Sequence, residues 1–138
     1  METLPTGRFR LRRPERRYRF EPDALTEHAP RKPGIYQLLS CGADAQAKVL
    51  YIGAADGRRF KTVYAALAAH LMGNARPNSQ DLARVSAEVY FDFIETEPGS
   101  AEDILDAAGT LIARHRPRLN GGTPPSSGRY GAIVLEEA

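Results

Sequence analysis

Read along the chain, apolar and polar positions change period several times. In FRLRR (residues 9–13) and RYRF (17–20) apolar or aromatic residues alternate with arginines, the period-two spacing of half-buried strands, and Pro14 separates the two. Residues 21–33, with Pro22, Pro30 and Pro33 around DALTEH, predict a short helix or turn serving as a connector. GIYQLLS (34–40) and KVLYIGA (48–54) predict two strands. The CGADAQA between them has the Gly and Asp of a hairpin loop, so antiparallel pairing is expected.

At about 59–72 the period becomes helical: Phe60, Val63, Tyr64, Leu67 and Leu71 recur three and four apart, and Gly73 is a stop. Asn78 or Ser79 can cap a short second helix through Arg84. VYFDFIE (89–95) is rich in branched and aromatic residues and predicts a third strand, ended by Pro98 and Gly99. Ser100, with Asp103 three residues on, predicts the start of a helix to about His115, its apolar face made by Ile104, Leu105, Ala108, Leu111 and Ile112. Pro117 stops it. GGTPPSSG (121–128) reads as a flexible linker and YGAIVLEE after it as a terminal strand.

A length of 138 residues suits one core rather than two. Hydrophobic residues at 42% with eleven aromatics suit a globular chain, not a disordered one. No stretch approaches the eighteen or so apolar residues of a membrane span, and no secretory run opens the chain, so no membrane association and a cytoplasmic location are expected. Cys41 is the single cysteine and is expected to be a reduced thiol. Charge changes the picture more. Residues 1–20 carry seven arginines against two glutamates, a balance of +5, whereas the other 118 residues hold 12 basic and 15 acidic side chains, −3. Such an arm can attract phosphate or lie as a strand with its charges in solvent.

Generic motifs are scarce. There is no phosphate loop of the GxxxxGK[ST] type and no GxSxG elbow, and His28, His70 and His115 are too scattered for a metal site by spacing. Glu102, Asp103 and Asp106 form an acidic cluster whose placement suits the dipole of a first helical turn.

One constellation stands out. Gly34-Ile35-Tyr36 opens the first hairpin strand and Tyr51-Ile52-Gly53 lies in the second, fifteen residues from tyrosine to tyrosine. A basic loop, a helix carrying AALAAHL, an aromatic strand and a helix ending LIARHRPRLN follow in order. Over about residues 31–121 the chain resembles the GIY-YIG nuclease superfamily. The resemblance implies an α/β fold of the α+β type, a three-stranded antiparallel sheet flanked by helices. It divides the chain into a basic arm and connector (1–30), the GIY-YIG-like domain (31–121) and a C-terminal linker and strand (122–138). It also implies hydrolysis of a DNA phosphodiester by water with one divalent cation, Mg²⁺ or Mn²⁺. Tyr36 and Tyr51 would lie at the site, one as general base, while Gly53, His70, Asn120 and Arg58 would contact substrate. A phenol of ordinary pKa about 10 needs a metal or cationic neighbours for that task.

Two roles of the family pattern find no match. The metal-binding glutamate would precede Leu111 by three residues, where this chain has Ala108. At 100° per residue Glu102, Asp103 and Asp106 point at least about 120° away from it. The phosphate-binding arginine falls at Ala66 when the helix is aligned through His70, or at Lys61 when counted from Gly53, with Arg58 and Arg59 nearby. Lysine offers a point charge without the guanidinium fork. The expected function is therefore a nucleic-acid-binding module with DNA as partner and impaired or lost hydrolysis. The alternatives are an active endonuclease with ligands moved to Arg58, Arg59 or Lys61 and to Glu102, Asp106 or another acid, or a protein-interaction scaffold.

Overall fold

The computed structural model describes residues 4–13, 16–41, 47–121 and 127–137. Pro14, the 42–46 part of the expected hairpin loop and residues 122–126 of the expected linker lie outside the described residues. In chain order the elements are β1 (Thr6–Arg12), β2 (Tyr18–Arg19), α1 (Pro22–His28), β3 (Gly34–Cys41), β4 (Ala47–Ala55), α2 (Val63–Leu71), α3 (Ser79–Ala83), β5 (Val89–Glu97), α4 (Ala101–His115) and β6 (Ala132–Glu137). The class is α+β. No helix among the described residues is long and apolar enough to cross a membrane.

The three strands legible beside the tyrosine motifs pair antiparallel in the order β4-β3-β5, but the sheet does not stop there. The expected three-stranded sheet is corrected to a mixed one, β4-β3-β5-β1-β6, with β2 also pairing β5. β1 lies antiparallel to β5, and β6 lies parallel to β1. The physical reason is the alternation in the arginine-rich segment. Phe9 and Leu11 are each 1% exposed, while Arg8, Arg10 and Arg12 face solvent. Burying two such side chains stabilises by roughly 1.5–3 kcal/mol each. The ion pairs Arg8 with Glu136 on the outer face and Arg13 with Glu137 just past the end of the strand contribute no more than about 1 kcal/mol apiece. Apolar burial places the strand, and the charges follow. The register sets Arg10 beside Glu97 and Glu136, and Arg12 beside Glu95, so the basic stripe is faced by carboxylates on both neighbouring strands.

Helices cover both faces. Tyr36, Leu38, Leu50 and Phe91 pack against Leu25 of α1, Val63 and Leu67 of α2 and Leu82 of α3. Ile35, Ile52, Ile94, Phe9 and Leu11 pack against Ile104, Ala108 and Leu111 of α4. α2 begins four residues later than its apolar spacing predicts, because Thr62 takes the N-cap and accepts a hydrogen bond from the Ala65 amide. Phe60 and Lys61 thus belong to the preceding loop, where Gly57 adopts φ 93°.

The last helix is tied to the last strand. Ser100 caps α4 in a reciprocal pair with Asp103. Arg129 donates to Asp103 at 2.8 Å and to Asp106 at 2.9 Å, while Asp106 also accepts from the Ser127 amide and hydroxyl at 2.8 and 2.6 Å. Beyond this anchor Tyr130 stands edge-on to Phe9, in space left by the missing Cβ of Gly7. Burial pushes both carboxyls up, but the bonds from Ser100, Ser127 and Arg129 together outweigh it, so Asp103 and Asp106 titrate below the ordinary range.

Depressed folded-state values mean that this stabilisation is present above the unfolded carboxyl pKa of about 4 and is lost as pH falls through the lower folded value. Arg129→Ala is expected to lower Tm by several degrees at pH 7, with the gap from the parent chain closing as pH drops below about 4. Thermal melts across that range check it, and a gap that stays constant with pH would be the contrary result.

Candidate functional site

The site is built on the β3–β4 ladder, where Tyr36 lies opposite Gly53 and Leu38 opposite Tyr51. This register sends both tyrosines to the α2 side of the sheet. Gly53 is needed there for a steric reason: a Cβ on it would land within the Tyr36 ring. Tyr36 is 1% exposed, and its ring lies 6.3 Å from that of Tyr51. His70 of α2 completes the group, its ring 5.2 Å from Tyr51. The His70 Nδ1 is 2.9 Å from the Pro77 carbonyl, which can only accept, so Nδ1 carries the proton. Nε2 is then an acceptor, and the Tyr36 hydroxyl donates to it at 2.8 Å.

Burial dominates the titration of all three. It drives the Tyr36 hydroxyl far above the ordinary phenol value and Tyr51 raises it further, with Arg59 opposing. Burial likewise raises Tyr51 against the pull of Arg59. It lowers His70, although the bond to Pro77 works the other way. At neutral pH the cluster is two phenols and a neutral imidazole. Tyr36 holds its proton between buried partners, and the general-base role finds no support in its surroundings.

Tyr51 is the partly exposed member and forms a wall shared by two adjoining clefts. One, of about 440 Å³, is bordered by Gly53, Asp56, Arg59, Ala108 and Asn120. The other, of about 650 Å³, is bordered by Pro77, Asp81, Arg84, Arg118 and Leu119. Together they make a groove along the β4 edge with Arg59 on one side of Tyr51 and Arg84 and Arg118 on the other. Arg76 also faces it but forks onto Asp81 at 3.0 and 3.2 Å.

Against the sequence reading, the structure brings some residues together and redirects others. Ala108 does face the cleft, 1% exposed and flanked by Leu105 and Ile112. The acids offered as displaced metal ligands are committed elsewhere: Glu102 pairs with Arg58 at 2.7 Å, and Asp103 and Asp106 hold Arg129. Asp56, the carboxylate bordering this cleft, accepts from the Arg58 amide. Among the described residues no group of three or more His, Cys, Asp or Glu could hold a metal. Among the described residues lining this cleft the one carboxylate is Asp56, too few donors to hold a divalent cation by themselves.

Arg59 lies on the cleft wall over Phe60, its guanidinium 5.1 Å from the ring. Lys61 is exposed one residue before the helix cap, and Ala66 is fully buried between helix and sheet. His70 is corrected from a substrate contact to an internal partner of Tyr36, because it is 1% exposed with both ring nitrogens bonded. Asn120 borders the cleft half-buried, with its side-chain amide bonded to the neighbouring strand. Its amide donates to the Ile52 carbonyl at 2.9 Å and accepts from the Ile52 amide at 3.0 Å, capping the free edge of β4 as a strand would. Arg58 pairs with Glu102 at the surface. Arg84 and Arg118 were not singled out by sequence, since neither stands at a fixed spacing from the tyrosine motifs. Only the fold brings them to Tyr51.

Two substitutions separate the buried tyrosine from the exposed one. Tyr36→Phe leaves the His70 acceptor without a donor and is expected to cost about 1–3 kcal/mol, whereas Tyr51→Phe costs less than about 1 kcal/mol. Gly53→Ala must displace the Tyr36 ring and is expected to cost about 1–3 kcal/mol or more. Urea unfolding of the three variants measures these differences, and equal stability of the two Tyr→Phe proteins would contradict the assigned bond.

Compared with protein-family models, with curated proteins and with solved structures, the chain matches none, so its function is argued from the chemistry of this groove.

Proposed function

We propose that this chain is a nucleic-acid-binding module of GIY-YIG type that acts on DNA without efficient phosphodiester hydrolysis. The observation that carries the reading is the groove at Tyr51, which joins guanidinium groups to an aromatic wall and lacks a carboxylate at Ala108. Arg59, Arg84 and Arg118 suit phosphate oxygens, because the planar fork donates two parallel hydrogen bonds. Tyr51 offers a face on which a base or sugar can rest. Hydrolysis asks for more: an activated water and stabilisation of a charged leaving oxygen. Tyr36 is a buried phenol already donating to His70, Glu102 and Asp103 pair with arginines, and Asp56 accepts from the Arg58 backbone amide. The reading as an active endonuclease with displaced ligands therefore has little to draw on.

The arginine-rich N-terminal segment enters this proposal in a reduced role. Its stripe of Arg8, Arg10 and Arg12 faces glutamates on the neighbouring strands, which offsets the attraction for phosphate. The groove arginines are the better phosphate ligands.

Binding of labelled duplex and branched DNA by the full chain tests the proposal. The variant with Arg59, Arg84 and Arg118 all changed to Ala is expected to bind at least about tenfold more weakly. Its slope of log K against log salt should be shallower by about 2–3, at roughly 0.9 per lost phosphate contact. Neither protein is expected to nick plasmid with Mg²⁺ or Mn²⁺. Nicking that requires metal and disappears in Tyr36→Ala would establish the endonuclease instead, and unchanged binding by the triple variant would remove the groove from consideration.

A further inference from the structure

The α4 face of the sheet is only partly covered. α4 ends at His115 over the half that carries Ile35, Ile52 and Ile94. The other half, toward the far ends of β3 and β4, floors a separate cleft of about 620 Å³. Gln37, Tyr90 and Asp92 lie on its floor, and Arg13, Arg16, Arg17 and His115 border it. It shares no lining residue with the Tyr51 groove, and Gln37 leaves β3 on the face opposite to Tyr36.

The floor is unusual for a sheet interior. Gln37 is 2% exposed on the central strand, opposite Asp92 in register, and its Nε2 donates to the Asp92 carboxylate at 2.8 Å. The Gln37 Oε1 is buried and has no hydrogen-bond partner among the described residues. An unmade bond of this kind is destabilising, and the neighbouring Leu39 shows that an apolar side chain suits the same surface. Burial raises the Asp92 carboxyl, and the Gln37 bond together with Arg13 and Arg17 opposes that rise, so the arginines reach this pair electrostatically. A fixed acceptor pair at the bottom and guanidinium groups at the rim are two halves of one recognition pattern.

We infer that this cleft binds a nucleoside monophosphate, its phosphate held by Arg13, Arg16 and Arg17 and its base edge by Gln37 and Asp92. The phosphate charge suits three arginines set against one carboxylate on the lining. Arg13 already pairs with Glu137, but that pair is exposed and weak enough to exchange. Two acceptors on the floor require two N–H donors on the ligand, and the N1–H and N2–H edge of guanine presents them side by side. Tyr90 supplies an aromatic surface beside that edge. The volume lies within the range usual for small-ligand sites.

Calorimetric titration of the full chain with GMP, AMP, guanosine and inorganic phosphate tests the assignment. GMP should bind saturably, at least about tenfold more tightly than phosphate, guanosine or AMP, a difference of about 1.4 kcal/mol or more. Arg16→Ala combined with Arg17→Ala changes two exposed residues and should weaken GMP and phosphate about tenfold or more while leaving guanosine unchanged. Asp92→Asn should abolish the preference for GMP over AMP. Absence of saturable GMP binding up to about 1 mM, equal affinity for GMP and inorganic phosphate, or GMP binding indifferent to the double arginine change would overturn it. These outcomes are independent of DNA binding at Tyr51, because the two sites have no residue in common.

Discussion

The Tyr36 ring lying against the bare backbone of Gly53 is the contact on which this architecture turns. It demands that one strand offer its largest aromatic where its neighbour offers no side chain, and it brings the phenol hydroxyl to His70 on α2. Sheet and helix are thereby joined by one satisfied polar bond inside an apolar layer. Deep in low dielectric such a bond is costly to break, because neither partner can turn to water instead. The same burial that makes the contact structural makes it chemically quiet: a phenol that stabilises the fold by keeping its proton is poorly placed to surrender it. Position in the motif and availability for chemistry have become separate properties in this chain.

That separation also explains which parts of the molecule the sequence discloses. Period-two and helical spacings locate β3, β4, β5 and α4 within a residue or two, since each buries one regular face. That the two tyrosines share a face follows from the β3–β4 register, which pairs Tyr36 with Gly53 and Leu38 with Tyr51, and their spacing in sequence does not fix it. The sheet beyond β5 is less legible. FRLRR reads as a half-buried strand in a basic arm, and nothing local says that its two apolar residues will be sealed by α4 and by a strand more than a hundred residues away. Pairing partners at long range leave no mark on the pattern of either segment.

Side-chain commitments are less legible still. His70 and Asn120 have the composition of ligands, and only coordinates reveal that their polar atoms are spent on Tyr36 and on Ile52. Asp103 and Asp106 are written as ordinary first-turn acids, yet they anchor a guanidinium more than twenty residues further on. Conversely Gln37 sits at a strand position that favours apolar residues and betrays nothing until its neighbours are known. A polar residue's meaning is set by who answers it, which is a tertiary fact.

The parallel pairing of β1 with β6 carries a consequence for the order of assembly. Residues 6–11 find their outer partner only in residues 132–137, so one of the longest loops the chain can close is closed by this ladder. Closure entropy rises slowly with loop length, but contacts of such separation are rewarded late and slow the search. During synthesis the central hairpin and β5 emerge with their neighbours at hand, while β1 must wait with an unpaired edge until the last strand leaves the ribosome. An unpaired edge templates other chains. The arginines along it then have a use that needs no ligand: like charges on every second residue discourage two waiting copies from zipping together, guarding a nascent surface that the finished protein no longer exposes.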